Sequence, residues 1–191
     1  MKKSLGAKPI AYPTPVYLVG SYDEEGRANM MNAAWGGICC SVPPCVMVAI
    51  RKERHSYGAI LHQQAFTINI PHVGQVTEAD YFGMASGKKE DKIAISGLCV
   101  EPAELVHAPM LCAAPVVLEC QLISTQDVGS HTLFIGEIKD VKVDESCLDD
   151  AGVPDIKKVN PLLFAPGNSA YFGVGEFIAK AFSAGKVLIE K

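Results

Sequence analysis

The chain has 191 residues, 49% of them hydrophobic, with a formal net charge of -4 and a pI near 5.7. That length can bury a large fraction of its surface without a metal or disulfide staple, so one domain with peripheral additions is expected. The acidic balance excludes the basic, aromatic-rich face of a nucleic-acid binder, and no apolar run reaches the length of a membrane span. Met1-Lys2-Lys3 precedes a stretch broken by Gly6, Pro9, Pro13 and Pro15, unlike the apolar core of a secretion signal, so a cytoplasmic chain is expected.

Val16 to Tyr22 is rich in β-formers, and Asp23-Glu24-Glu25-Gly26 supplies a polar, glycine-containing turn. Asn29 to Trp35 is then the returning strand, whose small residues Ala33 and Ala34, with Gly36 and Gly37 after it, leave room for close approach by a ligand or another strand. Ser41-Val42-Pro43-Pro44 is a stiff connection, because each proline fixes its own φ and biases its predecessor. Cys45 to Ile50 is a continuous apolar run, the pattern of a strand covered on both faces. Ser56 is positioned to N-cap a short helix from Tyr57 to Gln63.

Ala65 to Ile70 alternates apolar and polar as a half-buried strand, stopped by Pro71. Thr77 and Asp80 mark a cap for a helix to about Ser86, followed by the charged loop Ser86 to Lys92. Val116 to Thr125 and His131 to Val143 are β-rich runs that read as a hairpin through Gln126 to Ser130. Asp144 to Asn160 is an irregular excursion. Pro161 to Phe164 and Tyr171 to Val174 read as short strands, and Glu176 to Ala184 as a helix ending at Gly185, with the Val187-Leu188-Ile189 tail placed to dock on a partner subunit. Short strands joined by hairpins, with few helices, predict a mainly β antiparallel barrel over a doubly wound sheet.

Among the usual signatures, no G-x-G-x-x-G follows a strand, and neither H-E-x-x-H nor G-x-S-x-G occurs. Gly83 to Lys88 is one residue short of a phosphate loop. Seven cysteines, an odd count without a C-x-x-C, predict reduced and mostly buried thiols. Arg51, Lys52, Arg54, His55 and Ser56 together form a dense set of donors suited to a phosphate. Upstream, Asn29, Asn32 and Trp35 offer two amides and one aromatic on a small, apolar background. A ligand with a flat apolar head, hydrogen-bonding edges and an anionic tail suits both ends, and FMN is such a ligand.

Several segments carry a further resemblance. They are Asn29-Met30-Met31-Asn32-Ala33-Ala34-Trp35, Cys40-Ser41-Val42-Pro43-Pro44, Ile50-Arg51-Lys52-Glu53-Arg54-His55-Ser56 and Phe66 to Pro71, with Lys92, Gly129 to Glu137 and the Tyr171 to Gly185 end. In this order and spacing the chain resembles the flavin-reductase-like proteins, within them the branch containing flavoredoxin. The resemblance spans nearly the whole chain, residues 1–191 as a single domain. It implies a Greek-key split barrel (the FMN-binding split barrel) with a few peripheral helices, a homodimer, and FMN held noncovalently near the subunit interface.

By that resemblance Asn29, Met31, Asn32, Ala33 and Ala34 line the flavin ring, with Trp35, Cys40 and Phe164 near the ring or its ribityl chain. Lys52, Arg54, Ser56 and Lys92 face the phosphate and ribityl group, and His131 stands close by. This branch usually has threonine where Asn32 and Ser56 stand, and both replacements keep a hydrogen-bonding side chain. No catalytic acid or base and no metal site is implied. The expected function is electron transfer between redox partner proteins, with an NAD(P)H-dependent flavin or ferric reductase as the alternative and a non-enzymatic module that stores or senses a flavin or haem-like ligand ranked last.

Overall fold

The computed structural model describes residues 1–189. Seven antiparallel strands form the main sheet. The first hairpin pairs β2 (Tyr17–Tyr22) with β3 (Ala28–Ala33), Tyr17 opposite Ala33 and Tyr22 opposite Ala28. Its turn is tied by Asp23, whose carboxylate accepts from the Glu25 and Arg27 backbone N–H groups at 3.0 and 2.9 Å. β3 stops at Ala33, so Ala34 and Trp35 form a link instead of extending the strand. That link leads into β4 (Gly36–Ser41), which pairs with β5 (Pro44–Ile50), and the stiff double-proline connection is the turn of this second hairpin.

α1 (His55–Gln63) follows, then β6 (Ala65–Ile70), α2 (Val76–Met84) and the five-residue α3 (Lys92–Ser96). β7 (Val100–Pro102) and β8 (Pro109–Leu111) make a two-stranded flap. β9 (Val116–Val128) and β10 (His131–Val143) are the longest strands, joined by Gly129 and Ser130 alone, so β9 runs past Thr125. α4 (Ile156–Val159) lies within the excursion. β11 (Leu163–Ala165) and β12 (Ala170–Phe172) build a small sheet with β1 (Thr14–Pro15).

The main sheet runs β3-β2-β6-β9-β10-β5-β4, so the two strands joined by Ala34 and Trp35 are its two free edges. The architecture is a mainly β antiparallel split barrel with the link at the split. Val19, Met31, Val48, Phe66, Ile68 and Phe134 fill its interior. Across β2 and β3, Leu18 and Met30 pack on Ala79 and Phe82 of α2. Strand alternation explains the division, since Met31 and Met30 must point to opposite faces.

Several expectations are corrected. Ser56 does not cap α1: Arg54 occupies the cap position without a side-chain bond, and Ser56 is buried, its hydroxyl accepting from Asn29 Nδ2 at 2.8 Å. Thr77 does not cap α2, which continues a 3-10 turn, Val73–Gln75, capped by His72. β5 is covered only in part, because Met47 and Ala49 are half-buried. The helix expected over Glu176 to Ala184 is absent; regular structure resumes at α5 (Lys186–Ile189), which Gly185 precedes instead of ending the earlier helix. Phe177, Ile178 and Phe182 there are exposed, so an apolar pattern found no core to face. Cys39, Cys40, Cys99 and Cys112 are exposed and only Cys45, Cys120 and Cys147 buried.

Candidate functional site

The link between the edge strands opens a crevice of about 260 Å³. Its wall takes Met31, Asn32, Ala33, Ala34 and Trp35 from β3 and the link, Arg51 and Arg54 from the segment after β5, and His131 from the start of β10. Three stretches distant in sequence therefore meet, because β5 pairs with β10 on one side and β4 on the other. The alanines keep the wall flat and leave backbone accessible. Trp35 is half-buried, and its carbonyl accepts from the Ala49 N–H at 2.8 Å, which holds the link against β5.

Two depressions adjoin. One of about 330 Å³ shares Arg54 with the crevice and adds Lys52, His55 and Lys88. Another of about 210 Å³ shares His55 and Lys88 and adds Asn29, Gly87 and Lys92. Ten of the thirteen sequence-predicted site residues border this run of depressions, and Ser56, buried beneath, touches Asn29.

The cations divide into two kinds. Lys52 reaches Asp127 on β9 at 2.7 Å, and that hydrogen bond holds its pKa up. Arg51 lies 3.8 Å from Glu53. By contrast, Arg54 Nη1 donates to the Gly83 carbonyl and Lys92 Nζ to the Phe82 carbonyl, each at 3.1 Å. Both thus stand at the C-terminal end of α2, where unpaired carbonyls carry partial negative charge. Among the described residues neither forms an ion pair. Lys92 is only 4% exposed, and burial, reinforced by the Arg54 charge, lowers its pKa to about 8, with Glu90 pulling the other way.

Two converging cations in a partly desolvated niche, one depressed by the other, form a donor set that an anion would relieve. The residues present fit a mononucleotide phosphate beside the crevice. Asp23 is held low despite burial, through hydrogen bonds from Arg27 and Glu25. Its carboxylate lies 3.4 Å from His55 Nε2 and fixes that ring between the two adjoining depressions.

Other expected residues lie elsewhere or work otherwise. Asn32 donates to the Ala79 carbonyl at 2.7 Å and to the Tyr171 hydroxyl at 3.3 Å, and Tyr171 donates to Asp80 at 2.9 Å. Its amide therefore ties β3 to α2 and β12 while its stem borders the crevice. Cys40 is exposed near the β4–β5 turn, away from the crevice lining. Phe164 packs against Tyr171 in a tilted pair, centroids 5.6 Å apart, in the small sheet and lines a separate cavity with Tyr12 and Phe172. The structure does not bring these last two to Trp35. His55, read in the cationic run after β5, lines both adjoining depressions. Lys88 and Gly87 join the site unforeseen; the first sat in a legible charged loop, whereas nothing local marked Gly87.

Among the described residues no His, Cys, Asp and Glu cluster suits a metal ion, and no helix is long and apolar enough to cross a membrane. The flavoredoxin of Desulfovibrio vulgaris (Miyazaki F) superimposes with a TM-score of 0.94 at 55% identity, covering 97% of this chain and 100% of that one. A flavoredoxin from Methanosarcina acetivorans gives 0.89 at 33% identity, covering 98% of each chain. In sequence, FMN reductase (NADH) RutF of Pseudomonas syringae is 28% identical over 66% of this chain and 68% of its own length. The chain spans 58% of the length of a relative from Aeropyrum pernix. The model of the flavin reductase like domain matches residues 10–173, so with this barrel, this split and this crevice the chain belongs to the flavin reductase like domain family.

Proposed function

We propose that the chain is a single flavin-binding domain that holds FMN noncovalently and transfers electrons between redox partner proteins. The observation that carries this reading is the meeting of a flat-walled crevice beside Trp35 with the cations Arg54 and Lys92, which form no ion pair among the described residues. Likeness to two flavoredoxins supports it. Asn29, Met31, Asn32, Ala33, Ala34 and Trp35 would border the ring end, with His131 at the crevice mouth. Arg54 and Lys92 would hold the phosphate, helped by Lys52, whose bond to Asp127 must compete, while Ser56 fixes the Asn29 amide.

When bound, the flavin supplies the redox chemistry. The chain's residues orient it, and the small wall limits water at its face. Cys40 and Phe164 belong to the site in the assembled protein if a second copy brings them to the crevice. Exposed Ile38 and Val42 on the β4 edge and its turn, with Phe177, Ile178 and Phe182, support a homodimer.

Trp35 is the only tryptophan, so its emission reports on the crevice directly. Adding FMN to the ligand-free chain is expected to quench that emission saturably and to raise the melting temperature as binding to the folded state requires. Unchanged emission and melting temperature at excess FMN would defeat the proposal.

The match to an FMN reductase (NADH) favours a second reading, an NAD(P)H-dependent flavin reductase. Carrier behaviour predicts slow or absent bleaching of the FMN-loaded protein by NADH or NADPH without oxygen. Bleaching within a turnover time of seconds would replace the carrier with the reductase.

A further inference from the structure

Outside the site, one pair of nucleophilic side chains is placed for chemistry that the flavin reading does not use. In the β7–β8 flap Val100 faces Leu111, and continuing that register sets Cys99 opposite Cys112. The Cys112 N–H donates to the Cys99 carbonyl at 3.1 Å. Directly opposed, hydrogen-bonded residues of antiparallel strands have Cα atoms about 5.5 Å apart, within the roughly 4.4–6.8 Å that a disulfide spans.

Both cysteines are exposed, so a soluble reagent reaches them. The other candidate pair, Cys40 opposite Cys45, has one buried member. β8 is anchored on the barrel, the Pro109 carbonyl accepting from Thr67 Oγ1 at 2.5 Å and the Leu111 N–H donating to Asn69 Oδ1 at 2.7 Å. Cys112 is therefore held in place, and Cys99 lies three residues past the end of α3, which begins at Lys92.

We propose that Cys99 and Cys112 form a reversible disulfide modification site, closed by exchange with a soluble disulfide such as oxidised glutathione. The Cys99 thiolate attacks one sulfur of the soluble disulfide, the S–S bond breaks, and one thiolate leaves. Cys112, deprotonated, then attacks the Cys99 sulfur of the mixed disulfide and expels the second thiolate. In sum two protein thiols lose two electrons and two protons, and one soluble disulfide becomes two thiols. Desolvation and the facing Cys99 thiol push the Cys112 thiol up to about 11, which makes Cys99 the first attacker. The closed bond would fasten the exit of α3 to β8 and shorten the free loop of the unfolded chain.

The full-length protein, loaded with FMN, is incubated with oxidised glutathione, quenched with an alkylating agent and mapped by peptide mass spectrometry. The expected product is an intramolecular Cys99–Cys112 link that forms before any other, disappears with dithiothreitol and raises the melting temperature by several degrees. Cys112→Ser is expected to stop at a stable glutathione adduct on Cys99. Cys99→Ser is expected to be modified at Cys112 at least several-fold more slowly. A wild-type chain that keeps glutathione on Cys99, alkylates both cysteines after full oxidation, or links Cys40 to Cys45 first would overturn the assignment.

Discussion

Replacing Lys92 by methionine is expected to weaken FMN binding roughly 10–100-fold while leaving the ligand-free chain more stable than before. Methionine keeps the length and volume of the lysine stem and removes the charged donor at its end. A charge-assisted hydrogen bond contributes about 1.5–3 kcal/mol, which sets the affinity loss. On the stability side, lowering the ammonium from 10.5 to about 8 corresponds to on the order of 3 kcal/mol that the folded state carries below pH 8. Losing the bond to the Phe82 carbonyl gives back about 1 kcal/mol.

The sign of the pH dependence follows from the same shift. Between about 8 and 10.5 the unfolded chain holds a proton on this lysine that the folded chain has released, so this group makes ligand-free stability rise with pH. FMN affinity moves the other way, falling as pH rises through about 8, because the phosphate needs the charged form. Fluorescence titration and thermal unfolding of both proteins across pH 6–10 read these effects. A Lys92→Met chain that binds FMN as tightly as the parent would remove Lys92 from the phosphate site.

Gly20→Ala is expected to be the most damaging small substitution in the barrel, costing about 3 kcal/mol and lowering the melting temperature by roughly 6–12 °C. A Cβ at Gly20 would sit 2.3 Å from the Pro109 carbonyl oxygen and 2.4 Å from Thr67 Oγ1. Neither neighbour can give: the first is backbone, and the two are hydrogen-bonded to each other. Relief requires β8 to lift from β2 and β6, which also breaks the Leu111 bond to Asn69. Gly58→Ala is the matched control. It lies exposed in α1 with nothing within 4 Å of the added carbon, so alanine is expected to stabilise by about 0.5–1 kcal/mol. Equal melting temperatures for the two variants would refute the close-approach account.

How far local sequence reaches is visible element by element. The Val16 to Tyr22 strand, its Asp23 turn, Ala65 to Ile70 and the β9–β10 hairpin were legible as elements, because β-formers and turn residues act within a few positions, but Ala65 to Ile70 is buried on both faces instead of half-buried. β4 was not, since Gly36-Gly37-Ile38-Cys39-Cys40 has no period of its own and is extended only because β5 pairs with it. β7, β8 and α3 are too short to establish a pattern. The Glu176 to Ala184 segment shows the reverse failure: its apolar residues imitate a helix face, but nothing packs on that face.

For the site, the sequence by itself determined the chemistry on offer, a single tryptophan among small residues and a run of cations soon after, because side-chain type needs no fold. Tertiary structure decided which cations are engaged by a carboxylate and which, among the described residues, are not. Lys52 is engaged by Asp127, brought from β9 across the sheet, while Arg54 and Lys92, remote in sequence, converge on the carbonyls that end α2. Pairing and burial depend on groups that only folding makes neighbours, and they set the charge that a bound phosphate meets.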